Sequence, residues 1–207
     1  MKKLLTEFIG TFFLVFTIGG AVASGNPQAP VAIGAVLMVM VFAGGHISGA
    51  HYNPAVSLSI WIRGKMAAVE MVQYWCAQLI GGILGAITSQ VVTGSNAATE
   101  MGPQIANAAS LPLIAEFLGT FALAYVVLNV ATAKGTTGNS FYGLAIGFTV
   151  MSMAIAIGGV SGGAFNPAVG VGRAIANSIV GSGETLGSAW IYIIGPLLGG
   201  GLAALVF

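Results

Sequence analysis

Hydrophobic residues in this chain do not alternate with polar ones. They run on, interrupted at intervals by short clusters rich in Gly, Pro, Asn, Ser and charge. Runs able to cross ~30 Å of hydrocarbon, about 20 residues each, fall at 4–24, 30–50, 68–92, 112–132, 141–159 and 187–206. They predict six spanning helices, which use nearly all of the 207 residues and leave no room for a soluble domain. Two shorter apolar stretches remain, 53–63 and 166–176, between the second and third runs and between the fifth and sixth. Each is too short to span and too apolar for an ordinary loop.

Those two stretches begin alike. Asn53-Pro54-Ala55-Val56 recurs as Asn166-Pro167-Ala168-Val169, each after a Ser-Gly-x-x-aromatic lead-in (Ser48 to Tyr52, Ser161 to Phe165). The first run also has an internal copy: Glu7-Phe-Ile-Gly-Thr-Phe12 returns as Glu116-Phe-Leu-Gly-Thr-Phe121. This copy, and the interruption by Glu7, argue against reading Lys2-Lys3, the apolar run and Ala21-Val22-Ala23 as a cleaved signal peptide. The Glu copies lie 109 residues apart and the Asn copies 113, so the chain is one duplicated unit, with repeats over 4–92 and 112–206. Three spans per repeat is an odd number, so the second repeat must lie upside down relative to the first. With the N-terminus inside, Lys2, Lys3, Arg63, Lys65 and Lys134 fall on the cytoplasmic side and only Arg173 outside. Both termini are therefore expected in the cytoplasm, with the chain in a plasma (inner) membrane.

Asn is a favoured N-cap, Pro in the first helical position loses no hydrogen bond, and Ala-Val continues an apolar helix. Each copy thus starts a helix that, at ~1.5 Å per residue over about eleven residues, crosses half a bilayer. Inversion brings the two N-termini together near the midplane. The lead-ins then become non-helical backbone at membrane depth, which is tolerated where it lines a water-filled cavity or is buried in protein. The expected fold is an all-α membrane protein with six transmembrane helices and two re-entrant half-helices in an inverted repeat, spanning 1–207 as a single domain.

On these motifs the chain resembles the aquaporin, or major intrinsic protein, family, from Glu7 to the end of the last run. The resemblance implies that Asn53 and Asn166 offer amide hydrogens to a water at the pore centre, while Pro54, Ala55, Pro167 and Ala168 pack the half-helix ends together. Two helix N-termini, each about half an elementary positive charge, would repel cations there and interrupt a proton wire. Carbonyls of Gly49, Ala50, His51, Tyr52, Gly162, Gly163 and Ala164 would form the acceptor ladder. Glu7 and Glu116 would brace the irregular backbone, and His46 would support the cytoplasmic mouth or gate it. The family's selectivity-filter positions map to Ile33, Ala154, Gly163 and Val169. Most members carry Arg where this chain has Val169, so the filter is expected to be wider and less polar, as in some plant vacuolar forms. Arg173, one turn further out, would place its charge over the outer vestibule or be an ordinary surface arginine. The resemblance also implies a homotetramer with a pore in each chain.

Composition narrows the rest. Only 5% of residues are charged, against roughly a quarter in soluble domains, and 57% are hydrophobic. A net charge of +1 gives no sign of nucleic-acid binding, and the single Cys76 excludes an internal disulfide. No Asp, metal-ligand cluster or nucleophile–base pair is present, so neither an enzyme nor a cofactor is expected. Gly81-Gly82-x-x-Gly85 and Gly195-x-x-x-Gly199-Gly200-Gly201 are read as close-packing surfaces. The expected activity is passive flux of water and small uncharged solutes such as glycerol, urea, ammonia or peroxide across the lipid bilayer. A secondary transporter and a weakly selective ion channel are the alternatives on the same scaffold.

Overall fold

The computed structural model describes residues 1–100, 102 and 109–207. Residues 101 and 103–108, part of the 93–111 loop in which no motif is recognised, lie outside the described residues. The described chain is helical, with α1 (Lys2–Ala23), α2 (Ala29–Ser48), α3 (Pro54–Ile62), α4 (Ala68–Thr93), α5 (Ser110–Thr132), α6 (Tyr142–Ser161), α7 (Pro167–Val180) and α8 (Ile191–Val206). Six segments are long and apolar enough to cross a membrane, the last running from Glu184 to Val206 through a 3₁₀ turn. Many of their large apolar side chains, among them Leu5, Phe13, Val39, Ile80, Leu118, Phe148 and Leu198, point outward, as a lipid-facing surface requires.

The packing repeats between the halves. α1 lies along α4 and α5 along α8, α2 packs on α6 across the boundary, and each half-helix reaches into the other half, α3 onto α8 and α7 onto α4. The glycines make this possible. Gly81 and Gly85 of α4 face the α1 backbone at Phe8, Phe12 and Phe16, and Gly195 and Gly199 of α8 face α5 at Leu113, Phe117 and Phe121. Gly82 and Gly200 turn instead toward the half-helices, against the carbonyls of Ala168 and Ala55. A side chain at any of these positions would meet backbone, so small residues set how closely the helices approach.

The half-helices are less alike than their shared tetrapeptide predicts. α3 has 9 residues and ends where Gly64 turns to φ +72°, whereas α7 has 14. The counterpart of Gly64 in the second repeat is Asn177, which continues the helix to Val180. Its Oδ1 then accepts from Gly183 N at 3.0 Å, fixing the turn that follows.

Candidate functional site

Two carboxylates hold the irregular backbone before the half-helices. Glu7 and Glu116 are fully buried. Glu7 accepts from Ser48 Oγ (2.6 Å), His51 N (3.0 Å), Tyr52 N (2.7 Å) and Gln78 Nε2 (2.8 Å). Glu116 accepts from Ser161 Oγ (2.7 Å), Ala164 N (2.9 Å) and Phe165 N (2.6 Å). Tyr74 and Tyr192 donate their hydroxyls to the carbonyls of Ser48 and Ser161. α2 and α6 end at Gly49 and Gly162 with φ of +88° and +93°, and the chain then keeps Ala50, Tyr52 and Phe165 at φ of +52°, +49° and +47°. Left-handed backbone costs a non-glycine residue about 1–3 kcal/mol and persists only where the surroundings enforce it. The charge-assisted bonds to the two carboxylates supply that enforcement.

The half-helix starts are tied to each other. Asn53 Oδ1 caps its own helix by accepting from Ala55 N (2.9 Å), and its Nδ2 donates across the repeat to Phe165 O (2.9 Å). Asn166 does the same, with Ala168 N (2.9 Å) and Tyr52 O (2.8 Å). Each amide nitrogen carries two hydrogens, so one is committed to this cross-link and the second is left for another acceptor. Tyr52, assigned from the sequence to the acceptor ladder, thus receives Asn166 on its carbonyl. Trp75 Nε1 donates to Pro54 O (2.9 Å), which fixes the first half-helix from α4.

Around the two asparagines lies a small cavity. Its lining obeys the repeat throughout. Leu14 and Ile18 of α1 pair with Leu123 and Val127 of α5 at the 109-residue offset, and Ile33 and Leu37 of α2 pair with Ile146 and Val150 of α6 at 113. Ala50 to Asn53 pair likewise with Gly163 to Asn166, and Val56 with Val169. The cavity wall is therefore two-fold pseudosymmetric and mostly aliphatic, with the amides at its centre. Of the four positions that the resemblance assigns to a filter, Ile33, Gly163 and Val169 line it. Ala154 does not, and neither does its mate Val41, which is buried in the core.

Further cavities lie toward the two ends. Lys3, Ser48, Gly49, His51, Lys65, Glu70 and Tyr74 line one, where Lys3 Nζ meets Glu70 Oε1 at 2.7 Å. Val22, Glu100, Gly162, Arg173, Ser182 and Glu184 border the other. Lys3 and Val22 stand at opposite ends of α1, ~30 Å apart at helical rise, so these are the near and far mouths. His51 borders both the near and the central cavity, and Gly162 of the far cavity adjoins Gly163 of the central one. His46 is exposed beside the α5–α6 connection with Tyr142, in a separate depression that shares Gly49 with the near mouth.

Arg173 is not a surface arginine: it borders the far mouth but is held by the backbone beside it. It is 2% exposed, and its guanidinium donates to the carbonyls of Ala97 (2.9 Å), Ala98 (3.1 Å) and Glu100. The counterpart position, Ile60, gives no hint of such a role, since the partner segment belongs to the connection between the two repeats and so has no copy. Arg173→Met is expected to release segment 96–100 from α7, lowering stability by about 2–4 kcal/mol. Proteolytic cleavage after Gly94 in the variant alone would confirm the clamp, and equal protection of both proteins would refute it.

The model of the family described as Major intrinsic protein matches residues 1–207. The chain belongs to the major intrinsic protein family. Aquaporin NIP1-1 of Zea mays is 36% identical over 96% of this chain and 71% of its own length. Probable aquaporin TIP2-2 of Oryza sativa subsp. japonica is 38% identical over 100% of this chain and 86% of its own length. The fold matches the X-ray structure of the aquaglyceroporin from Plasmodium falciparum with a TM-score of 0.90 at 22% identity, over 99% of this chain and 93% of that one. This major intrinsic protein is thus an integral membrane protein of the channel class that includes aquaporins. Sequence reading missed its aliphatic cavity wall, Gln78, Trp75, the two hydroxyl-donating tyrosines, and Ser57, whose Oγ accepts from Gln78 Nε2 (3.1 Å) and lies 3.0 Å from His51 Nδ1.

Proposed function

We propose that this major intrinsic protein is a passive channel for water and small uncharged solutes, with one pore through each chain. The observation that carries the reading is the central cavity. Two asparagines that cap their own helices, each with an N–H beyond its cross-link, stand at the meeting of two half-helix N-termini inside a mostly aliphatic wall. A water there accepts from both amides and directs its own hydrogens outward, which breaks a proton wire, while the helix termini oppose cations. The carbonyls of Gly49 to Tyr52 and Gly162 to Ala164 serve as acceptors on either side, and Glu7 and Glu116 are structural braces. Val169 in place of Arg leaves no cationic donor at that filter position, so the solute range extends beyond water, to glycerol, urea, ammonia or peroxide. The assembly is a homotetramer in the plasma (inner) membrane with both termini cytoplasmic.

Stopped-flow light scattering on proteoliposomes tests this. Osmotic water flux well above that of empty vesicles, with a low activation energy and no ion current in planar bilayers, is the expected result. Single-channel currents, or uptake that needs an ion gradient, would overturn it. Water flux with no flux of any of the four solutes would remove the extended range alone.

A further inference from the structure

The two half-helices end differently. Positions 61 and 63 of α3 are Trp and Arg, both exposed, whereas their counterparts at the 113-residue offset, Ala174 and Ala176, are buried in α7. α3 stops where Gly64 takes φ +72°, and the turn closes on itself: Gly64 N donates to Trp61 O (2.8 Å) and Lys65 N to Ile60 O (3.0 Å). This backbone pattern satisfies the last carbonyls of the helix, so the Arg63 side chain is not needed as a cap. Its Cζ lies over the Phe207 ring instead, 4.9 Å from the centroid. A guanidinium held against an aromatic face spends none of its five N–H donors on that contact.

The protein supplies no counter-ion for this group. Lys2, Lys3, Arg63, Lys65 and Lys134 belong to the near end, and the one carboxylate there outside the interior, Glu70, is taken by Lys3. Among the described residues Arg63 makes no ion pair. Its depth is set by the helix that carries it. Arg63 follows Asn53 by 10 residues, ~15 Å at helical rise, which is half of ~30 Å of hydrocarbon. With Asn53 at the midplane, Arg63 reaches the headgroup boundary, and Trp61 stands at the level where amphipathic rings collect. Toward the midplane the surface turns apolar and recessed. Ile62 and Leu202 are exposed, and a Cβ on Gly201 of α8 would meet only Ile62 Cδ1, at 3.9 Å.

We infer that the end of α3 is a binding site for an anionic phospholipid of the near leaflet, its phosphate on Arg63, its headgroup against Trp61 and an acyl chain over Ile62 and the recess at Gly201. The planar guanidinium fork matches two phosphate oxygens at once. The exposed apolar surface beneath it adds area that only a lipid can cover, so a soluble phosphate gains the charge contact and nothing else. Because α3 carries Asn53 at its other end, the bound lipid also steadies the half-helix that reaches the central cavity.

The test uses the full chain in nanodiscs of phosphatidylcholine, alone or mixed with phosphatidylglycerol. Wild type is compared with Arg63→Gln and with Lys134→Gln, which removes the same charge from the same end. Phosphatidylglycerol is expected to raise the thermal midpoint of wild type and Lys134→Gln by about 2–4 °C, the shift that one base–lipid contact produces in a chain of this size, and to leave Arg63→Gln unmoved. Native mass spectrometry should show phosphatidylglycerol retained by wild type and lost from Arg63→Gln. An equal response of all three proteins would mean that the diffuse charge of the near end acts, and would overturn the site. A shift reproduced by glycerol phosphate in phosphatidylcholine nanodiscs would make the ligand a soluble anion. A changed subunit number in Arg63→Gln with no dependence on lipid would make this face a contact between copies, and either result overturns the lipid assignment.

Discussion

Glu7→Leu is expected to yield no folded channel. The substitution roughly preserves side-chain volume but leaves the Ser48 hydroxyl, the His51 and Tyr52 amides and the Gln78 amide without their acceptor, all in the interior. Each orphaned buried donor costs about 1–3 kcal/mol, and the carboxylate also holds Tyr52 at φ +49°, so the loss is comparable with a typical domain's entire stability. Glu7→Gln keeps one oxygen but turns an NH₂ toward two of the donors, and an intermediate loss follows. Size-exclusion profiles in detergent, thermal unfolding and reconstituted water flux would rank wild type, Gln and Leu in that order. A Leu variant with the wild-type thermal midpoint would refute the bracing role. A Gln variant with unaltered stability but changed proton leak would make Glu7 a proton carrier instead.

Much of this site is readable because the chain contains it twice. The paired Glu and Asn motifs predict carboxylate braces, facing half-helices and irregular lead-ins; in the structure Glu7 and Glu116 accept from the lead-in amides, and α3 and α7 begin after Asn53 and Asn166. What escapes lies where the repeat is broken or concealed. The spans are apolar on every side, so no polar face tells Leu14 and Ile18, which line the cavity, from Phe13 and Ile9, which face outward. α7 outruns α3 because one Gly, at position 64, has become Asn at 177, a difference that matters only once the downstream loop is in place. The burial of Arg173 is hidden for the same reason. Its acceptors are backbone carbonyls of residues 97–100, and carbonyls carry no sequence signal. Gln78, Ser57 and His51 form a network only because three elements converge, and each alone resembles an isolated polar residue in an apolar segment.

The second large effect concerns two neighbouring glycines with opposite tolerance. A Cβ on Gly200 would lie 2.6 Å from Ala55 O and 3.0 Å from Ser59 Oγ, and neither can yield easily. Ala55 belongs to the first turn of α3, and Ser59 Oγ is 2.8 Å from both Ala55 O and Gly200 O, one hydroxyl shared between two carbonyls. A Cβ on Gly201 would meet only Ile62 Cδ1, at 3.9 Å. Gly200→Val must therefore push α3 away from α8. Because Asn53 caps α3, the displacement is carried directly to the Asn53 Nδ2–Phe165 O bond at the pore centre. Overpacking of this kind costs about 1–3 kcal/mol, and the more informative loss is functional, since a shifted amide no longer opposes Asn166 across the cavity. Water permeability per folded channel is expected to fall by about tenfold or more in Gly200→Val, a barrier increase of ~1.4 kcal/mol, and to stay near wild type in Gly201→Val. Equal behaviour of the two variants would mean that the α3–α8 contact does not position the asparagines. Unequal behaviour would tie pore geometry to a helix crossing that only a residue without a side chain permits.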